Sequence, residues 1–197
     1  MGMNIRLIGT NHLMYKEQVE ELIKKEKPDI IGIELCEFRE AAILDNQEMN
    51  PTKEDGLLGK ITSKIKSKAE EEGLDYGSDM KTALRYSIKN NIQRVLVDMP
   101  ILKIQELFNK IPLKEQQGFA RELKEFEKES ITKKVNEEEV LINLKSRYPI
   151  AFEFLINMRN LFIANEILKI SIKNQDKKIV VILGAAHVSN VNKLIGG

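Results

Sequence analysis

Apolar residues along the chain fall into two patterns, short β-branched runs and longer stretches with helical spacing. Four runs, at 4–8, 29–35, 94–97 and 178–183, are bounded by polar or glycine-containing segments and predict strands. The run Ile179-Val180-Val181-Ile182-Leu183 has no polar alternation. Such a strand suits burial on both faces, the habit of parallel sheets in α/β proteins. Between the first two runs Val19, Leu22 and Ile23 repeat at helical spacing and Pro28 closes the segment, which predicts a βαβ unit. Residues 38–45 predict a short helix, and Ser78-Asp79 predict the cap of another that continues to about residue 90. The polar stretch 46–77 reads as a loop-rich insertion with one amphipathic helix, since Leu57, Ile61 and Ile65 recur every four residues.

From 101 to 174 the pattern is helical throughout, with breaks near Pro112, at 130–135 and at Pro149, and an apolar-rich last helix at about 150–172. Such a run is too long for a simple crossover, so it predicts a helical cap inserted before the final strand. The expected fold is therefore α/β. A single domain over 1–197 would have a central, mainly parallel sheet flanked by helices, with the cap at about 101–174.

Composition narrows the function classes. The chain has 197 residues, with 31 Lys+Arg against 30 Asp+Glu, so it lacks the basic excess expected of a nucleic-acid partner. The lone thiol, Cys36, allows no intrachain disulfide, and the first residues lack a signal-peptide layout, which together point to cytosolic, reducing surroundings. The longest apolar stretch, Ile179 to Ala186, is eight residues, against roughly 20 for a bilayer span. A membrane segment or a further domain is expected only beyond residue 197.

In open α/β sheets ligands bind outside the carboxyl ends of the strands, and here each predicted strand ends in ionisable groups. The first runs into Gly9-Thr10-Asn11-His12, the second into Glu34 and Arg39, the third into Asp98, and the fourth into Gly184-Ala185-Ala186-His187. The two histidines of the chain share one frame: apolar strand, glycine, two residues, histidine. Glycine at that place predicts a tight turn with unusual backbone angles that throws the imidazole over the sheet edge. Two converging imidazoles with a carboxylate suit either a metal site or acid–base chemistry.

Glu34 closes an apolar run, so its carboxylate is expected at the partly desolvated top of a central strand, as a ligand or as a base for water. Its bland alternative is a strand-end carboxylate paired with Arg39. Asp98 has similar placement, and Asp before Pro100 also suits a turn. Arg39, or Arg159 and Arg85 from other helices, could hold a substrate carboxylate or a developing oxyanion. Gly56-Leu57-Leu58-Gly59-Lys60 is too short between its glycines for a phosphate loop. Cys36 reads as small buried packing rather than as a nucleophile.

Three segments carry a resemblance: Gly9-Thr10-Asn11-His12; Lys27-Pro28-Asp29-Ile30-Ile31-Gly32-Ile33-Glu34-Leu35-Cys36-Glu37-Phe38-Arg39; and Val180-Val181-Ile182-Leu183-Gly184-Ala185-Ala186-His187. Weaker echoes are Gly77-Ser78-Asp79-Met80, Val97-Asp98 and Met158-Arg159-Asn160. In these the chain resembles the TraB/PrgY pheromone-shutdown family, related to the Tiki and GumN proteins and more distantly to erythromycin esterases. The resemblance implies a Tiki-type α/β domain with His12, His187 and Glu34 at the active site, as catalytic groups and as ligands of a divalent ion such as manganese, cobalt or zinc. It implies a metal-dependent peptidase of small peptides or, alternatively, a protein that sequesters peptides without cleaving them. Arg39, Asp98 and Arg159 are then the substrate-binding candidates. The chain departs from its relatives at Asp79, where Glu is common, at Met99, where Arg is common, and at Met158, where an acidic residue is common. The expected partners are a small peptide, a membrane only through a segment beyond residue 197, and further copies of this chain.

Overall fold

A computed structural model describes residues 4–10, 14, 16–45, 77–132 and 136–197. The four strands among them are all parallel, in the order β1-β4-β2-β3: β1 Ile5–Thr10, β2 Ile30–Ile33, β3 Gln93–Leu96 and β4 Ile179–Gly184. The α/β class expected from the sequence is therefore the fold observed. The chain leaves β1 through α1 (Lys16–Glu26), skips one position to β2, and passes through α2 (Glu37–Leu44) and α3 (Ser78–Lys89) to β3. It then runs through helices and returns to fill the gap between β1 and β2 with β4. Because all the strands run the same way, Thr10, Glu34, Asp98 and Gly184 come to a common rim.

Strand alternation assigns the two faces. Ile179, Val181 and Leu183 of β4 pack with Ile30, Ile163, Ala164, Ile167, Ile170 and Val191, so α8 (Met158–Lys173) and α9 (Ala185–Leu194) cover one face. Val180 and Ile182 pack with Val19, Ile23, Ile31, Ile33, Met80, Ala83 and Leu84, so α1 and α3 cover the other. These residues are fully or almost fully buried. The unbroken apolar run in β4 is thus explained by helices on both sides.

The helical run before β4 divides differently from its sequence reading. Helices α4 (Ile101–Asn109), α5 (Leu113–Thr132), α6 (Glu137–Arg147) and α7 (Pro149–Phe152) surround a separate small core of Phe108, Ile111, Phe119, Leu144, Ala151, Phe152 and Ile156. The breaks fall near the expected places, at Pro112, after Thr132 and at Pro149. After α7 comes one π-helical turn, Glu153–Asn157, and then α8, whose Ile163, Ala164 and Ile167 belong to the sheet core. The last helix therefore serves as a layer of the α/β unit and not as part of the cap. The predicted amphipathic helix around Leu57 lies outside the described residues.

Among the described residues no helix is long and apolar enough to cross a membrane.

Candidate functional site

Glu34 follows β2 on the face that α8 and α9 cover, continuing the alternation of Ile30 and Gly32. Its Oε2 accepts the backbone N–H of Gly184 at 2.6 Å, and its Oε1 accepts Arg159 Nη2 at 2.7 Å. The carboxylate is almost fully buried, at 3% exposure. The sequence alternative of a Glu34–Arg39 pair is replaced by this pair with Arg159, 125 residues away.

Arg159 bridges two carboxylates. Its Nε and Nη2 donate to Asp98 Oδ1 and Oδ2 at 3.1 and 2.9 Å, a two-point contact, while Arg39 Nη1 donates to Asp98 Oδ2 at 3.0 Å. Asp98 also takes the N–H of Met99 at 2.8 Å, so its turn-forming and charge-pairing roles coexist. Burial alone would lower the pKa of Arg159, but the facing Asp98 and Glu34 carboxylates outweigh that cost and raise it. Two guanidiniums and two carboxylates leave this part of the cluster close to neutral.

His187 is the third residue of α9, which begins directly after β4 with no intervening loop. The ring is buried; Nδ1 lies 2.6 Å from Asn160 Oδ1 and Nε2 lies 3.5 Å from Glu34 Oε1. That second separation exceeds the length of a charge-assisted hydrogen bond, about 2.7–2.9 Å. It is close to the spacing of two ligands on one tetrahedral ion, about 3.3–3.4 Å for bond lengths of about 2.0–2.1 Å. The donor pair is chemically suited to a borderline divalent metal. Among the described residues no three His, Cys, Asp or Glu side chains are grouped to hold one. His12, the expected third ligand, lies outside the described residues.

On the opposite face of the same rim, Thr10 Oγ1 donates to Asp79 Oδ2 at 2.6 Å and also reaches Leu183 O at 3.2 Å. Asp79 is fully buried. Its expected capping role is only part of the picture: the helix starts after Gly77 in the left-handed region, Asp79 Oδ1 accepts the first-turn N–H of Met80 at 2.8 Å, and Oδ2 turns inward toward β1. Arg85 is exposed on α3.

The two glycines before the histidine frames do not make the expected strained turns. Neither Gly9 nor Gly184 has positive φ; Gly9 is an ordinary member of β1, paired with Leu183, and Gly184 has φ −57° and ψ 136°. Gly9 lets α9 approach closely, since a Cβ there would sit 3.0 Å from Val188 Cγ2 and 3.4 Å from Ala185 Cα. Close packing of α9 on β1, not an unusual backbone, places His187 over the rim. Cys36 is buried, at 5% exposure, in keeping with its packing role.

The structure thus joins Glu34, Asp98, Arg39, Arg159 and His187 in one network. It adds Asn160, and on the other face Thr10 and Asp79. Sequence reasoning left Asn160 without a role, although Arg159 and Asn160 are two polar residues interrupting an apolar helix, which is a readable signal.

No family model matches the chain. It is similar to an uncharacterized protein of Methanocaldococcus jannaschii, 26% identical over 209 residues that take in 95% of this chain and 52% of that protein. The chain spans about half the length of the curated relative it matches.

Proposed function

We propose that this chain is a hydrolase of small peptides of the TraB/PrgY/Tiki type, with His187, Glu34 and His12 holding a divalent ion such as manganese, cobalt or zinc. One observation carries the reading: His187 Nε2 and Glu34 Oε1 face each other at 3.5 Å in a buried rim, each fixed from behind by another group. When bound, the ion would polarise a carbonyl and lower the pKa of its water. The protein's own residues do the rest. Gly184 N–H and Arg159 fix the orientation of the Glu34 carboxylate, Asp98 holds Arg159 in place, and Asn160 anchors the imidazole. Arg39 is the more exposed guanidinium, at 25% of its side chain against 17% for Arg159, so its remaining donors are available to orient a substrate carboxylate.

The choice of peptides as substrate rests on the resemblance of the two Gly-x-x-His segments and the segment around Glu34. The alternative, a protein that binds a peptide without cleaving it, is favoured by the hydrogen bonds already on both oxygens of Glu34, a pattern that a purely structural carboxylate would also have.

The test is metal content and peptide cleavage in the wild type and in His187→Ala. Unchanged values in both assays would remove this mechanism, and a peptide recovered intact by mass spectrometry after long incubation would favour capture. Cleavage that survives exhaustive chelation would leave a metal-free hydrolase with His187 as its base.

A further inference from the structure

We infer that Asn160 is a positioning residue that sets the tautomer of His187, holding the proton on Nδ1 so that the Nε2 lone pair faces Glu34. A side-chain carbonyl oxygen can only accept a hydrogen bond. With Asn160 Oδ1 at 2.6 Å from Nδ1, that nitrogen carries the proton. In the neutral ring Nε2 then carries no proton and acts as an acceptor. Nε2 and Glu34 Oε1, which also accepts from Arg159, then face each other as two acceptors 3.5 Å apart, the donor types a divalent ion takes.

The other end of the same amide is unsatisfied: among the described residues Asn160 Nδ2 is buried without a hydrogen-bond partner. An orphaned buried donor costs free energy, so the single hydrogen bond from Oδ1 to the ring is what the amide has to hold it in this orientation. Turned over, the amide would offer Nδ2 to the ring and force the ring proton onto Nε2, where Glu34 lies beyond good hydrogen-bond distance. Arg159 and Asn160 are consecutive in α8, so one helical turn orients both partners of the proposed ligand pair, Glu34 through Arg159 and His187 through Asn160.

The inference deepens the metal-site reading and rests on it for its purpose, but its test does not depend on that reading. The chain has two histidines, so two-bond nitrogen–proton correlation spectra of the labelled protein contain two imidazoles, assigned with His12→Ala. At about pH 9, well above the ordinary imidazole value, His187 of the wild type should have a pyrrole-like Nδ1 and a pyridine-like Nε2. Asn160→Asp, which keeps an acceptor oxygen, should retain that signature. Asn160→Leu should move the ring toward the Nε2–H form that free histidine prefers in water.

A wild-type ring protonated on Nε2, or on both nitrogens, would overturn the assignment, and that measurement stands even if Asn160→Leu does not fold. An unchanged tautomer in folded Asn160→Leu would overturn it as well. In calorimetry, zinc affinity should fall about 10–100-fold in Asn160→Leu and be held or tightened in Asn160→Asp. A wild type that has the Nδ1–H form but takes up no zinc would count against the metal reading alone and leave the role of Asn160 in place.

Discussion

The carboxylate of Glu34 accepts the backbone N–H of Gly184 at 2.6 Å, so the side chain that follows β2 is tied to the last residue of β4. The bond spans 150 residues of chain and joins neighbouring strands at the rim. A rotamer-rich glutamate is thereby reduced to one orientation, with its second oxygen left for Arg159 and His187.

Glu34→Gln should separate anchoring from charge. The amide oxygen can still accept from Gly184, but the NH2 then faces Arg159, so the fold should persist with a clearly lowered melting temperature. The loss of charge beside His187 should reduce metal uptake and any peptide cleavage by about 100-fold. Metal analysis and a cleavage assay on the folded variant check this, and wild-type uptake would show that the carboxylate is only an anchor.

Arg159→Ala should be strongly destabilising. Removing the guanidinium leaves Glu34 and the buried Asp98 facing one another without their shared cation. Breaking such a pair from one side costs about 3–5 kcal/mol. Arg159→Lys should recover only part of the loss, because an ammonium cannot reproduce the two-point contact with Asp98. Chemical denaturation of both variants measures the difference.

Gly9→Ala should cost about 1–3 kcal/mol by overpacking, since the new methyl meets Val188 Cγ2 at 3.0 Å. Val188→Ala in the same chain should return part of that stability, a coupling that a double-mutant cycle reads directly. If the two changes prove additive, the contact between β1 and α9 is not what requires glycine.

The cap should respond to pH at both ends of the scale. For Glu122, burial raises the pKa, but hydrogen bonds from Tyr148 and Arg147 outweigh it and hold the carboxyl below its ordinary 4.5. A depressed carboxyl contributes stability above its unfolded pKa and loses it as pH falls through the folded one. Tyr148, hydrogen-bonded to Glu122, is raised above its ordinary 10.0, so its contribution is complete below that value and is lost as pH rises through the folded one. Glu122→Gln should therefore lower stability by about 0.5–1 kcal/mol near neutrality, with the difference from wild type vanishing in acid. Thermal melts across pH check both limbs, and a constant difference down to strongly acid pH would remove the carboxylate's role.

Much of the architecture was legible because β-branched runs and helical spacing are local signals. The strands were read one or two residues early for β1, since Gly9 and Thr10 lack strand character of their own and are recruited by pairing with Leu183 and Gly184. The position of β4 between β1 and β2 has no local signature at all. At the site, Glu34, Asp98 and His187 could be found because strand ends converge in parallel sheets. Asp79 was read only as a cap because Ser-Asp before a helical run describes one; its partner across the sheet, Thr10, is 69 residues away and has no local signature. Asn160 escaped because a helical asparagine looks the same in sequence whether it faces water or a ring.

The sheet order also governs how the protein must be made. Among the described strands β1 pairs only with β4, so β1 has no partner among them until residues 179–184 have been synthesised. Until then the nascent chain exposes Ile5, Leu7 and Ile8 on an unzipped edge, a target for chaperones or for self-association. Ribosome-bound chains halted before residue 179 should accordingly be cut by protease within β1, and chains extended past β4 should resist.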